Sequence, residues 1–281
     1  MRPFFTLEGK LIRDARWSLI FSALTLFGLG WLFVHVASLN ETKILKKLSE
    51  VAPGEKVRAF RWMKDIGLEE APSSTAIMMA FWNHPFIVLV VAIWAIGRGA
   101  GAVGAEIERG SLDLILSRPI SRWSYLTAQA LVAIGGLLAM AGSLAAGAFI
   151  ASWYNVLRTP PDWLELIRPA FNLAALGFAI YGYTLLFSSV DLVRWRPTMI
   201  GSVLTLGGFI ARVIALIPIF KDAIWRPWAE RFSIFSLYNP VDAVAGREVY
   251  SFDVSVLTAL GAACVGLAFL FFTTRDLPAN G

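Results

Sequence analysis

Apolar and polar positions along this chain separate into blocks much longer than the alternation of a strand or the repeat of a surface helix. No charged side chain falls between Arg16 and Glu41, and the same holds across residues 71–97, 123–157, 169–190 and 254–274. A sixth run, 197–220, carries one charge, Arg212. A bilayer's hydrocarbon core needs ~20 apolar residues in an α-helix, since each residue advances ~1.5 Å and no water there satisfies a free backbone group. Every run is long enough. The pattern predicts an all-α integral membrane protein with six transmembrane helices at about 17–39, 76–97, 123–153, 169–191, 197–220 and 254–274. These form a single transmembrane domain over residues 1–281, with no room for a sizeable soluble domain.

The segments between the runs have patterns of their own. Leu7, Leu11, Ile12 and Ala15 recur at helical spacing opposite Lys10, Arg13 and Asp14, which predicts a short N-terminal helix lying in the membrane interface. The apolar run behind it exceeds the ~7–15 residues of a cleaved signal and reads as a retained anchor. An outer loop, 40–75, mixes both charge signs and reads as a small folded or helical ectodomain. Before the last run, Trp225, Trp228, Phe232 and Phe235 alternate with charges, and the Tyr238-Asn239-Pro240 turn and Gly246 break the segment. This predicts an interrupted segment lying in the outer interface or dipping into it. Trp17, Trp82, Trp123, Trp153, Trp195 and Trp225 fall near run ends, as an aromatic belt would. In the third run Gly135, Ala139, Gly142, Ser143, Ala146 and Gly147 are small enough for close helix approach.

Composition changes the picture little: the chain is 57% hydrophobic, against roughly 45–50% apolar for a soluble domain. A net charge of +5 would suggest nucleic acid in a soluble protein. Here the basic residues flank apolar runs, where anionic lipid headgroups lie, and no nucleic-acid-binding motif is present. The single cysteine, Cys264, forms no intrachain disulfide. His84 beside Met78, Met79 and Asn83 invites a metal, but with two histidines and no clustered carboxylates interfacial placement is the better reading. No Ser/His/Asp or paired-carboxylate arrangement suggests an enzyme. Gly99-Ala100-Gly101-Ala102-Val103-Gly104 is a formal GxGxxG, yet the stretch before it is far longer than a strand and no strand–helix alternation follows. Those glycines read as packing residues of the second span. Arg212 has two readings: it lines a path for an anionic or lipid-like substrate, or it snorkels to the outer interface.

Six crossings put both termini on one face. A raw count of Lys and Arg slightly favours the other face, because the first loop holds Lys43, Lys46, Lys47, Lys56, Arg58, Arg61 and Lys64. That loop is offset by Glu41, Glu50, Glu55, Asp65, Glu69 and Glu70, whereas Arg13/Arg16, Arg118/Arg122 and Arg194/Arg196 stand unbalanced against spans. These pairs favour cytoplasmic termini against the raw count, which by itself does not settle the side.

After the second run residues 106–122 read EIERGSLDLILSRPISR. Gly110 can break the preceding helix, Ser111 can cap a new one, and Asp113 complements its dipole. Pro119 disfavours helix at Arg118, so the new helix lasts barely two turns. Leu112, Ile115 and Leu116 share its apolar face, which suits a membrane surface or a partner's groove. Ser121 can cap the third span, with Arg118 and Arg122 placed for headgroups or acidic partner residues.

This segment resembles the Glu-rich, Gly-Ser/Thr-Leu, Leu-Leu-Ser, Pro-Ile/Val-Ser-Arg motif of ATP-binding-cassette (ABC) type-2 permeases, the exporter-type transmembrane subunits. The six spans, the amphipathic N-terminal segment and the interrupted segment before the last span extend the resemblance over nearly the whole chain. It implies a coupling segment, 105–122, that contacts a separate nucleotide-binding ATPase subunit. Glu106, Glu108 and Arg109 match its charged beginning, Gly110-Ser111-Leu112 its turn, and Pro119, Ser121 and Arg122 its end. It also implies a second permease copy, as homodimer or paralogue, a place in the cell (inner) membrane, and outward transport. The chain has no GxxxxGK[ST] P-loop, so ATP and Mg belong to the partner subunit and this chain needs no cofactor. The alternative is a secondary transporter or membrane scaffold without an ATPase partner, in which 112–116 merely lies on lipid.

Overall fold

The computed structural model describes residues 2–50, 81–110, 120–155, 157, 160–217 and 223–275, and every regular element among them is helical. In chain order these are α1 (Arg2–Glu50), α2 (Pro85–Gly101), α3 (Gly104–Glu108), α4 (Arg122–Tyr154), α5 (Trp163–Val190) and α6 (Trp195–Leu216). There follow α7 (Arg226–Phe232), a 3₁₀ turn (Ile234–Leu237), α8 (Pro240–Ala245) and α9 (Glu248–Thr274). Five of them, α1, α4, α5, α6 and α9, are long and apolar enough to cross a membrane. α2 is apolar but has 17 residues, about 25 Å of helix, less than the ~30 Å hydrocarbon core. Residues 76–80, which begin the predicted second span, lie outside the described residues, as do 51–75 of the predicted outer loop.

Several boundaries differ from the sequence expectation, each for a local reason. No separate interfacial helix precedes the first span, because α1 runs unbroken for 49 residues and nothing between Lys10 and Trp17 can stop it. Leu7, Leu11 and Ala15 are buried in the protein and only Ile12 faces outward, so this stripe packs on protein instead of lipid. α5 starts at Trp163, ahead of the predicted 169. Asp162 and Glu165 form a reciprocal capping box there, and Pro169 is carried inside the helix. α6 ends at Leu216, and residues 218–220 of the predicted fifth span lie outside the described residues. α9 begins at Glu248, so Asp253 is an internal helix residue.

α5 is the central helix: its most apolar stretch is 72% buried, against 17% for α1 and α6 and 22% for α9. Without water to drive apolar burial, helices in a membrane associate through close packing, and small residues allow it. α1 crosses α4 where Gly30 faces the Leu144 carbonyl and Gly147 faces the Phe27 carbonyl, so closely that a Cβ on either would overlap backbone. α5 meets α9 at Gly182, where a Cβ would come within 2.7 Å of the Gly261 carbonyl oxygen. Of the small residues predicted to pack in the third run, Gly147 does so. Gly135 and Gly142 have nothing within contact distance of a Cβ, and Ala139 is exposed. Gly136, unremarked in the sequence, makes room for the Trp94 ring instead.

The interrupted segment enters the bundle. Phe235 is buried against Phe209 of α6, and the buried Tyr238 hydroxyl donates to the Trp82 carbonyl at 2.7 Å. Asn172 of α5 donates to the Leu237 carbonyl at 3.2 Å. Burial pushes the Tyr238 phenol well above its usual range, so it stays a neutral donor. Trp82 is itself fully buried and leaves the predicted aromatic belt, whereas Trp17, Trp123, Trp153, Trp195 and Trp225 are exposed.

Candidate functional site

The start of α1 and the end of α9 come to the same end of the bundle, here called the basal end. The segment that carried the sequence motif attaches there. Ser111, Leu112, Ile115, Leu116, Arg118 and Pro119 lie outside the described residues; Glu106, Glu108, Arg109, Gly110 and Arg122 flank them within the described ones.

Upstream, α2 stops at Gly101, a turn follows, and α3 carries the two glutamates. Ser188 of α5 holds this break. Its hydroxyl donates to the Ala100 carbonyl at 2.9 Å and accepts from the Gly104 amide at 3.1 Å. The formal dinucleotide motif is thereby explained as packing. A Cβ on Gly99 would sit 2.9 Å from the Tyr181 carbonyl oxygen, and one on Gly104 would sit 3.2 Å from the Arg194 backbone. Gly110 ends the element with φ +65°, a left-handed conformation that favours glycine.

The glutamates, read from the sequence as a charged surface for a partner, turn toward the chain itself. Glu106 is buried and pairs with Lys10 of α1 at 3.8 Å and with Arg109 at 3.3 Å. Glu108 accepts from the Arg194 amide at 2.8 Å, at the start of α6. An exposed N-terminal turn with four amides lacking carbonyl partners is a natural seat for a carboxylate. Glu108 and Arg109 are both exposed, Arg109 with its side chain 62% exposed.

Downstream, Ser121 caps α4 by accepting from the Ser124 amide at 3.1 Å. Next to it Arg122 reaches across to the end of α9, donating to the carbonyls of Phe272 at 3.1 Å and Arg275 at 2.6 Å. Its guanidinium also lies over the Phe272 ring. Arg275 repeats the move on α5, donating to the carbonyls of Ser189 at 3.2 Å and Asp191 at 3.1 Å. Helix C-termini leave carbonyls without partners and carry partial negative charge, so each arginine satisfies acceptors and complements a dipole. Asp191 in turn accepts from the amides of Leu192 and Val193 and pairs with Arg196 at 3.7 Å. The residues on either side of 111–119 are therefore bonded to α1, α5, α6 and α9.

Lys10, Ser188 and Arg275 belong to this frame and were not singled out in the sequence. Arg275 had one signal, its place directly after the last apolar run, but nothing that named its acceptors.

At the opposite, distal end Arg212 donates to Asn239 Oδ1 at 3.2 Å. Asn239 donates onward to the buried Asp253 at 2.9 Å and to the Ser236 carbonyl at 2.8 Å. Arg212 is thus held in a side-chain network linking α6, the interrupted segment and α9. His84 is the cap of α2, its Nδ1 accepting from the Phe86 amide at 3.4 Å, with its ring against Phe33 and Phe86. Among the described residues no cluster of three or more His, Cys, Asp or Glu could hold a metal ion.

The family model described as ABC-2 family transporter protein matches residues 6–277 of the chain. No curated protein and no solved structure matches it. A match over nearly the whole length shows the family, and the chain belongs to the ABC-2 type transporter permeases, the membrane components of ABC transporters.

Proposed function

Taking the chain as an ABC-2 permease, we propose that it is the transmembrane subunit of an ATP-driven exporter, crossing the inner membrane six times with both termini in the cytoplasm. Residues 111–119 form the coupling helix, whose Leu112, Ile115 and Leu116 dock in a separate nucleotide-binding subunit that holds ATP and Mg. Two permease copies, identical or paralogous, enclose the pathway.

The observation that carries this reading is the frame at the basal end. A segment that transmits the closure of two ATPase subunits has to be tied to several spans by short, directional contacts, so that its displacement becomes theirs. Glu106 to Lys10, Glu108 to the Arg194 amide, Arg122 to the end of α9 and Arg275 to the end of α5 supply such ties.

Co-expression with its cassette ATPase and reconstitution in nanodiscs test the proposal. The wild-type chain is expected to retain the ATPase through purification. Leu112→Asp or Leu116→Asp is expected to lose it and to abolish substrate-stimulated ATP hydrolysis, while remaining folded by gel filtration. Retention of both properties in both variants would remove the coupling assignment.

A further inference from the structure

Arg98 stands in the last turn of α2, in sequence merely a basic residue at the end of an apolar run. Its side chain turns inward. Nη2 donates to Gln129 Oε1 at 3.0 Å, and Gln129 donates on to the Tyr125 hydroxyl at 2.9 Å. Nε of the same guanidinium is buried with no hydrogen-bond partner. One turn earlier the buried indole N–H of Trp94 also has none. Buried donors in native proteins are nearly always satisfied, and two on successive turns mark a place where an acceptor belongs.

Both side chains line one cleft of about 360 Å³ between α1 and α2, closed at the basal end by α3 and Arg194. Asp14 and Glu106 bring negative charge to its wall and Arg98, Arg109 and Arg194 positive, leaving one net positive charge. Glu106 is already engaged by Lys10 and Arg109, so Arg98 and Arg194, with Asp14 beside them on the wall, are the charged groups that meet an incoming anion. A guanidinium presents donors in a planar fork that matches phosphate oxygens. A single net positive charge suits the monoanion of a phosphodiester.

The wall also changes character along α2. Further along α2 from Arg98, Ile93 lines the cleft, and Leu89 and Phe86 continue from it as an exposed apolar row about 10 Å long. Polar anchor followed by an exposed apolar track is the order of a phospholipid's headgroup and acyl chain.

We propose that this cleft binds a phosphate group, with Arg98 as its anchor and Arg194 as the second cation. The phosphate belongs to a lipid headgroup or to a free phosphate, and the test separates these sources. The site needs no ATPase partner, so it stands or falls independently of the coupling helix.

Native mass spectrometry of the detergent-purified chain, titrated with dioleoyl phosphatidylglycerol and separately with inorganic phosphate, provides the measurement. The wild-type chain is expected to hold one tight lipid. Arg98→Gln is expected to weaken it about tenfold and Arg194→Gln, at an exposed side chain that does not endanger folding, about threefold. Arg16→Gln, on α1 but outside the cleft, should bind as wild type. Lipid binding that millimolar phosphate cannot displace assigns the site to the bilayer. Displacement by phosphate, or uptake of phosphate alone, assigns it to a free anion. Absence of both ligands from the wild-type chain, or equal binding by wild type, Arg98→Gln and Arg194→Gln, would overturn the proposal.

Discussion

Arg122 and Arg275 at one end of the bundle and Arg212 at the other are held in opposite ways. At the basal end Arg122 and Arg275 bind backbone carbonyls at the ends of α9 and α5. At the distal end Arg212 of α6 reaches Asp253 of α9 through the side chain of Asn239. A backbone acceptor is part of the helix itself, so a push on Arg122 moves α9 as a rod. A side-chain relay can lengthen or re-pair while the helices stay intact. Under the proposed function the basal end transmits displacement, while the distal relay holds α6, the interrupted segment and α9 together.

That contrast can be broken or sharpened in four steps. The largest effect belongs to Asp253→Ala, which takes the buried carboxylate away from the part-buried Asn239 amide; losing a charged acceptor costs about 3 kcal/mol. Thermal unfolding in detergent should show the loss, and Asp253→Asn, which keeps an acceptor for the Asn239 amide, should lose less than half as much. A loss near zero would mean that the distal relay holds nothing. Arg122→Ala removes charged donors from two carbonyls and is expected to cost about 2 kcal/mol. Unlike the distal change it should also depress ATP hydrolysis by the assembled transporter, and Arg122→Lys should restore part of both. Ser188→Ala, at the break between α2 and α3, removes one neutral hydroxyl with two bonds and should cost about 1 kcal/mol by the same unfolding measurement. Smallest is Lys10→Ala, because its side chain is 43% exposed in the pair with Glu106: about 0.5 kcal/mol, vanishing in 1 M salt. A Lys10 effect larger than that of Arg122 would invert the account of the basal end.

Much of the candidate site was legible where its cause is local. Ser121 as a cap and Gly110 as a stop follow from what neighbouring residues can bond or sterically allow, and both appear in the structure. Glu106 and Glu108 were legible as charged and adjacent to a turn, but their direction was not. Whether a carboxylate faces a partner or its own chain depends on Lys10 and the Arg194 amide, and Glu108 and Arg194 are 86 residues apart. The small residues of the third run make the same point. Gly147 and Gly135 are alike in sequence, and only the path of α1 decides that one is pressed against backbone and the other left open.

The sequence by itself determined that this chain is helical and lies in a membrane, because bilayer thickness and the demand for backbone hydrogen bonds act on any uncharged run wherever it sits in the fold. It also determined the family, through a match along most of its length. Only the tertiary structure decided which charges are interior ties. Arg122 meets the Arg275 carbonyl across 153 residues, and a guanidinium's acceptors are chosen by which helix end arrives beside it.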